Sequence, residues 1–404
     1  MISDSKNDIL HIGLPTILTD ENSKLCKVSV PINMANVKQE LWYCLPIEYK
    51  DYLSLEVADA FVVAYLMFAM QHSLDIKSDL PISERLLFSL KTELIPFFCT
   101  YFPNHNNINL YADSYDSIFH GTHVGTGLSC GIDSLSTIIR HGLKEVDEKY
   151  KIDTLTLLNT GYYRGAQPES LVNAISRSRC FADEFGFNFI FIDTNIAELT
   201  DYNFNSAHTY LTNSTILLLQ KYFSNYFYAS GVPISEFNLG KGDSAYFDIV
   251  SLKDISTQSI TFHSGCSIFT RVEKTKLIID SPHIFKHLYV CIGGGDGTEN
   301  CSVCEKCIRT MLALESLGAR DRIKERFDSE IYEKNRIRYI SFALRHRKTN
   351  VFYKEICDSF KYNNIRIPLS ARFCLIPTDL EINSYKSRFV STKIGRFIYK
   401  RIKK

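Results

Sequence analysis

The stretch Gly127-Leu-Ser-Cys-Gly-Ile-Asp-Ser-Leu-Ser-Thr-Ile-Ile-Arg140 decides how the rest of the chain reads. A turn of small residues, Ser129-Cys130-Gly131, runs straight into a helix whose buried face the pattern assigns to Leu135, Ile138, Ile139, Leu143 and Val146. The first N–H groups of a helix have no partner inside it, and the helix dipole adds positive potential at that end. Such a turn suits phosphate. Ser129 and Ser134 add hydroxyl donors, and Asp133 offers a carboxylate for a magnesium ion. The plainer alternative is an ordinary helix start capped by serine. No Walker-type lysine follows the turn, and neither Gly240-Lys-Gly-Asp-Ser nor Gly293-Gly-Gly-Asp-Gly has the spacing of a nucleotide loop.

Outward from this turn, residues 119–330 alternate strand and helix. The pattern predicts strands at Leu155–Asn159, Phe187–Asp193 and Tyr226–Ala229. It predicts helices at Glu169–Phe185, closed by Gly186, and at Ser214–Phe223. Alternation of this kind implies an α/β fold, with a mostly parallel sheet covered by helices and ligands bound beyond the carboxyl ends of its strands. Residues 1–118 read as an α+β region of unknown role. It has strand-like Lys27–Val30 and Leu41–Leu45, a helix over Ala60–Met70, and a second helix over Ser83–Phe98 with Ser83 as N-cap. Residues 331–404 read as basic and helical. The last 20 hold eight Lys/Arg and no acid, and removing those eight from the net +1 leaves −7 for the rest. That tail is either a solvated end or a contact for nucleic acid or an acidic partner.

Over the whole chain, 46 Lys+Arg balance 45 Asp+Glu, which excludes a surface built throughout to hold nucleic acid. An apolar share of 45% excludes a disordered chain. The run Ala60–Met70 is far shorter than the about 20 residues of a membrane span. The first residues lack the basic-then-apolar order of a secretory signal. Together these point to a cytoplasmic protein with no membrane association.

Twelve cysteines are present, and four of them crowd together: Cys291, nine residues, then Cys301-Ser-Val-Cys304-Glu-Lys-Cys307. Two interlocked C-x-x-C steps and a fourth thiol at the predicted end of a strand suit tetrahedral zinc with no open position. A ferredoxin run would need a further cysteine three residues on, followed by proline, and Ile308-Arg-Thr-Met stands there instead.

The pattern Ser129-x-Gly131-x-Asp133-Ser134 before a helix resembles the Ser-Gly-Gly-x-Asp-Ser signature of the PP-loop ATP pyrophosphatases, which cleave ATP to AMP and pyrophosphate. Cys130 stands where that signature has a glycine. The four cysteines followed by Arg309, and Ser244-Ala-Tyr-Phe-Asp248 in place of a Ser-Gly-Tyr-Pro-Asp stretch, are similar to the 7-cyano-7-deazaguanine synthases. The resemblance covers about residues 121–320. The extra regions look like those of synthase-like proteins from bacterial antiphage defence operons.

The resemblance implies a doubly wound sheet of the adenine nucleotide alpha hydrolase type with a four-cysteine zinc knuckle in residues 119–330. It implies ATP, magnesium and zinc as bound species. Ser129, Cys130, Gly131, Asp133, Ser134 and Tyr162 would bind ATP, Asp133 and Asp248 would be catalytic, and Cys291, Cys301, Cys304 and Cys307 would hold the metal. The implied reaction adenylates a carboxylate on a deazapurine-like small molecule or a protein partner, for amide or nitrile formation. Partner proteins would come from the same operon. Tyr163, Arg164, Arg177, Arg179, His208 and Asn213 are further polar candidates, and Arg271–Lys274 reads as a helix with a solvated charged face. Two other readings stay open. One is a tRNA-thiolating enzyme drawing on Cys130, Cys180 and Cys266. The other is a non-catalytic nucleotide-binding component of a defence complex.

Overall fold

The computed structural model describes residues 8–35, 37–144, 146–163, 167–200, 203–292 and 296–381. The chain divides into two compact units. One comprises Met1–Ser129, Asp133–Ala166 and Ala174–Ile268, and the other Cys130–Ile132, Gln167–Asn173 and Phe269–Lys404.

The first unit opens with β1 (Asp8–Ile12), β2 (Thr16–Asp20), β3 (Leu25–Met34) and β4 (Val37–Pro46). Along β4, Leu41, Tyr43 and Leu45 are buried while Trp42 and Cys44 are only half-buried, the two-residue period of a sheet with one face inward. Helix α1 (Asp59–His72) follows. Its middle is apolar on every side, so it is buried on every side. Next come β5 (Leu74–Ser78), β6 (Ile82–Ser83), and a helical run made of α2 (Glu84–Ser89), a π turn and α3 (Ile95–Tyr101). The widened turn precedes Pro96, which has no N–H to give to a regular helix. Ser83 does start this run, but not as a side-chain cap. Its hydroxyl donates to Asp59 Oδ2 at 2.5 Å and its N–H to Oδ1 at 2.8 Å. A buried carboxylate outcompetes the helix end for that hydroxyl.

After β7 (Leu110–Tyr111) and β8 (Ser114–Tyr115) comes the alternating part. It holds β9 (His123–Gly127), α4 (Ile132–Ile138), β10 (Thr154–Asn159), α5 (Pro168–Phe185), β11 (Asn188–Thr194), α6 (Ile196–Thr200), α7 (Phe204–Ile216), β12 (Phe223–Ala229), α8 (Asp248–Asp254) and β13 (Thr261–Gly265). Gly186, at φ +73°, closes α5 as expected. The helix predicted at Ser214–Phe223 instead lies earlier. Asn203 accepts the N–H of Asn205 and starts α7. Asn213 and Thr215 return their polar groups to the carbonyls of Thr209 and Leu211, so buried polar residues hide the helix from a hydrophobicity pattern. The helix after the turn at 129–131 buries Leu135, Ile138 and Ile139 but exposes Leu143, where a closing π turn ends it.

Strand order in the large sheet is β13-β12-β9-β10-β11-β4-β3-β1-β5-β7. The pairs β13–β12, β12–β9, β9–β10 and β10–β11 are all parallel. From β9 the chain moves to β10 and β11 on one side, then returns to β12 and β13 on the other. The strand order therefore reverses at β9. Beyond β11 the sheet continues antiparallel into β4, with Asp193 opposite Cys44 and Thr194 opposite Tyr43. The side chain of Asn195 extends this short pairing, accepting the Trp42 N–H at 2.8 Å and donating to the Glu40 carbonyl at 2.8 Å. A single core spans both parts of the sheet, with Phe61, Tyr65, Tyr210 and Leu218 among its buried members.

The second unit is helical: α9 (Arg271–Ile279), α10 (Pro282–Phe285), α11 (Glu305–Ser316), α12 (Ser329–His346), α13 (Val351–Tyr362) and α14 (Leu369–Phe373). Thr270 and Glu273 form a capping box at the start of α9. The charged face predicted there to be solvated is only partly so: Lys274 is fully buried, and the Arg271 guanidinium lies over Phe352 at 4.8 Å. Among the described residues no helix is long and apolar enough to cross a membrane. The basic segment after residue 381 lies outside the described residues.

Candidate functional site

The carboxyl end of β9 is where the strand order reverses, the position at which open α/β sheets bind ligands. The turn predicted to hold phosphate leaves the sheet at that end. Leu128 still donates its N–H to the Thr156 carbonyl at 2.8 Å, tying the turn's first residue to β10. Ser129 is exposed, Gly131 and Asp133 are half-buried, and Ser134 is buried. The Ser129 N–H points at Ser134 Oγ at 3.4 Å, and the two hydroxyl oxygens are 3.3 Å apart. The Asp133 carbonyl accepts the hydroxyls of Ser136 and Thr137, each at 2.9 Å, which fastens the first helical turn. That turn lies close on β13: a Cβ on Gly265 would come within 2.8 Å of the Thr137 methyl. Cys130 has φ +58° and is buried. It occupies the left-handed region that glycine enters freely and other residues enter at a cost of roughly 1–2 kcal/mol. Its carbonyl accepts the Tyr289 N–H at 2.9 Å, a bond that helps hold the unfavourable conformation.

Other residues collect at the carboxyl ends of neighbouring strands. Tyr162, in the turn after β10, is exposed and meets Tyr163 and Phe204 edge-on or tilted, at 5.1 and 6.0 Å between ring centres. Asn159 donates to Asp193 at 2.7 Å, joining the ends of β10 and β11. Asp248, the first residue of α8, is buried and accepts the Ser264 hydroxyl at 3.1 Å. His208 on α7 lies 2.5 Å from the Tyr228 hydroxyl through Nδ1. Through Nε2 it lies 3.2 Å from Asp243 Oδ1 and 3.2 Å from the Ser244 hydroxyl. Burial works to raise the Asp243 carboxyl, but the hydrogen bonds from His208 and the Ala245 N–H hold it below the ordinary carboxylate range.

Tyr228 and Asp243 escaped the sequence reading. Tyr228 looks like one more aromatic of a buried strand, and Asp243 sits in a glycine-containing segment weighed only as a nucleotide loop. Of the remaining candidates, Asn213 serves α7 itself, and Arg179 lies over the Phe189 ring at 5.2 Å. Arg164 lies outside the described residues.

In the second unit, the sulfurs of Cys291, Cys301, Cys304 and Cys307 all lie within 4.8 Å of one another, a cluster able to hold a metal ion such as zinc. The pairs Cys301–Cys307 and Cys291–Cys304 are 3.9 and 4.0 Å apart. Zinc–sulfur bonds of about 2.3 Å in a tetrahedron put sulfurs at roughly 3.8 Å. Two backbone N–H groups point at the sulfurs, from Cys301 to Cys291 at 3.4 Å and from Cys304 to Cys301 at 3.3 Å. Hydrogen bonds from Cys291, Cys304 and Cys307 pull the Cys301 thiol well below the usual thiol range, against the effect of burial.

Cys291 is not at the end of a strand but in an irregular segment fixed by Asn300. The Asn300 side chain accepts the Val290 N–H at 2.8 Å and donates to the carbonyls of Leu288 and Arg326, both at 3.1 Å. Ser302, inside the knuckle, has φ +62°, and its hydroxyl accepts the Asp328 N–H at 2.8 Å. Arg309, on the helix that carries Cys307, is buried with its guanidinium over Phe352 at 4.1 Å. Compared with family models, curated proteins and solved structures, the chain matches none of them.

Proposed function

We propose that the chain is an ATP-dependent ligase that transfers AMP from ATP to a carboxylate and then exchanges the AMP for a nitrogen nucleophile. A carboxylate is a poor acyl donor until one oxygen becomes part of a phosphate leaving group. The enzyme's task is to stabilise the charge that gathers on departing pyrophosphate. The observation that carries this reading is the left-handed backbone of Cys130 in a turn leaving the reversal strand β9. The residue stands where the PP-loop signature has glycine and adopts a glycine conformation. That supports a turn shaped by its ligand and not merely a helix start, because an ordinary serine cap needs no left-handed residue after it.

In this reading the N–H groups around Cys130 and Gly131 and the hydroxyls of Ser129 and Ser134 bind the outer phosphates. Asp133 would hold magnesium, which when bound neutralises phosphate charge. Tyr162 offers an exposed ring to a base or substrate, and Asp248 faces the acid. The four cysteines hold zinc as a closed structural site, and their sulfur spacing supports that choice of metal. A thiolation chemistry is less well supported: Cys130 and Cys266 are buried and Cys180 is exposed, so no pair of accessible thiols stands out.

The acid is a deazapurine-like small molecule or a carboxylate of a partner protein, and a role in antiphage defence follows from the resemblance alone. The test is incubation with labelled ATP, magnesium and a deazapurine carboxylic acid. AMP with pyrophosphate is the expected product. ADP, or no turnover with ATP still bound, contradicts the ligase reading, and AMP formed only with tRNA turns it toward thiolation.

A further inference from the structure

The ring of His208 is engaged on both nitrogens, and its surroundings fix which one carries the proton. The Ser244 hydroxyl receives the Thr209 hydroxyl at 2.9 Å and can donate to the Asn205 carbonyl at 3.3 Å. With its proton used there, Ser244 meets His208 Nε2 as an acceptor. Asp243 is also an acceptor, since its carboxyl is held ionised. Nε2 therefore bears the hydrogen. Nδ1 is left as the acceptor of the Tyr228 hydroxyl at 2.5 Å. The result is a hydroxyl–imidazole–carboxylate chain in which each group orients the next.

The chain also has a location. Tyr228 is the second-to-last residue of β12, and the pairing of Phe227 with Thr126 sets it level with Gly127, two residues before Ser129. The His208 side chain keeps 16% of its surface open to solvent. Burial, with added repulsion from Asp248 and Asp243, raises the Tyr228 phenol above its ordinary range, and a hydrogen bond with Thr209 works against that rise.

We propose that Tyr228, His208 and Asp243 form a proton relay that deprotonates the nitrogen nucleophile in the second half of the ligase reaction. This rests on the ligase reading above. The nitrogen lone pair forms the new C–N bond while the acyl C–O bond to the phosphate breaks, and AMP leaves with that electron pair. The nitrogen proton passes to the Tyr228 oxygen as the phenol proton passes to His208 Nδ1. This leaves an imidazolium beside the Asp243 carboxylate, and loss of its proton to water resets the relay. In these terms Tyr228 is the catalytic residue, and His208 and Asp243 act through it.

The experiment uses the full chain with ATP, magnesium, a deazapurine carboxylic acid and labelled ammonium. It follows two rates, ATP–pyrophosphate exchange for activation and label incorporation for amide formation. His208→Gln and Tyr228→Phe are expected to keep exchange within about threefold while amide formation falls by about 100-fold or more. Equal loss of both rates, or no loss of amide formation, overturns the relay and leaves the ligase standing. Absence of exchange in the unaltered protein overturns the ligase reading, and the relay falls with it.

Discussion

The hydroxyl oxygens of Ser129 and Ser134 stand 3.3 Å apart at the turn that leaves β9, one exposed and the other buried. The buried member also accepts the Ser129 N–H, so it sets the shape of the turn, and in the proposed reaction it would also donate to phosphate. Ser134→Ala is therefore expected to lower ATP–pyrophosphate exchange by about 100-fold, the usual effect of removing one preorganised donor. Ser129→Ala is expected to cost less. Exchange rates of the two variants at saturating magnesium check the order.

Cys130 at φ +58° gives a second prediction. Cys130→Gly removes a backbone cost of roughly 1–2 kcal/mol and adds back roughly 0.5–1 kcal/mol of chain entropy. Loss of the small buried thiol further offsets the gain. The expected net change is within about 1 kcal/mol, with exchange activity retained. Cys130→Val places a β-branched residue in the same region and is expected to lose about 2 kcal/mol or more. Urea denaturation of both variants measures the difference, and equal stability would contradict the strained backbone.

The four-sulfur cluster predicts about one zinc per chain by elemental analysis. Cys301→Ala, or a strong chelator, is expected to release the metal and lower the melting temperature of the protein by well over 10 °C. Binding at such a site is worth on the order of 10 kcal/mol of folding free energy. Iron in place of zinc would contradict the assignment.

His141 gives a pH prediction. Burial, aided by Arg140 and His263, lowers its pKa from 6.5 to about 4, and its ring stacks on Phe227 at 4.3 Å. The unfolded chain therefore takes up the proton more readily than the folded one. The stability this group contributes is present above pH 6.5 and is lost as the pH falls toward 4. The loss is on the order of 2–3 kcal/mol. His141→Phe is expected to flatten that part of the pH profile, measured by denaturant midpoints at successive pH values.

What was legible in the sequence, and what was not, divides along physical lines. The turn at 129–134 and the cysteine cluster are local: the residues that make each one are neighbours in the chain, so their spacing carries their geometry. The buried helix at Ala60–Met70 and the cap at Gly186 were readable for the same reason. The course of α7 was not, because Thr209, Asn213 and Thr215 satisfy their polar groups on the helix's own backbone and so enter the core without an apolar pattern. Ser83 looked like a cap because its real acceptor, Asp59, is 24 residues away in sequence. The Tyr228–His208–Asp243 chain joins three elements, and Asn300 reaches Val290 and Arg326 from the spacer between Cys291 and Cys301, where the cysteine pattern leaves the residues unspecified. Contacts of this long-range kind leave no trace in composition or period.

The two-residue pairing of β4 with β11, reinforced by Asn195, has a practical consequence. An expression clone trimmed to begin near residue 119 would strip β11 of its neighbour and lay bare a row of unpaired amides and carbonyls, together with the apolar faces that α1 covers. Such a fragment would be prone to stick to copies of itself through that open margin. Failure to obtain it in monomeric form would report on the cut, and would say nothing against the chemistry assigned to the part that remained.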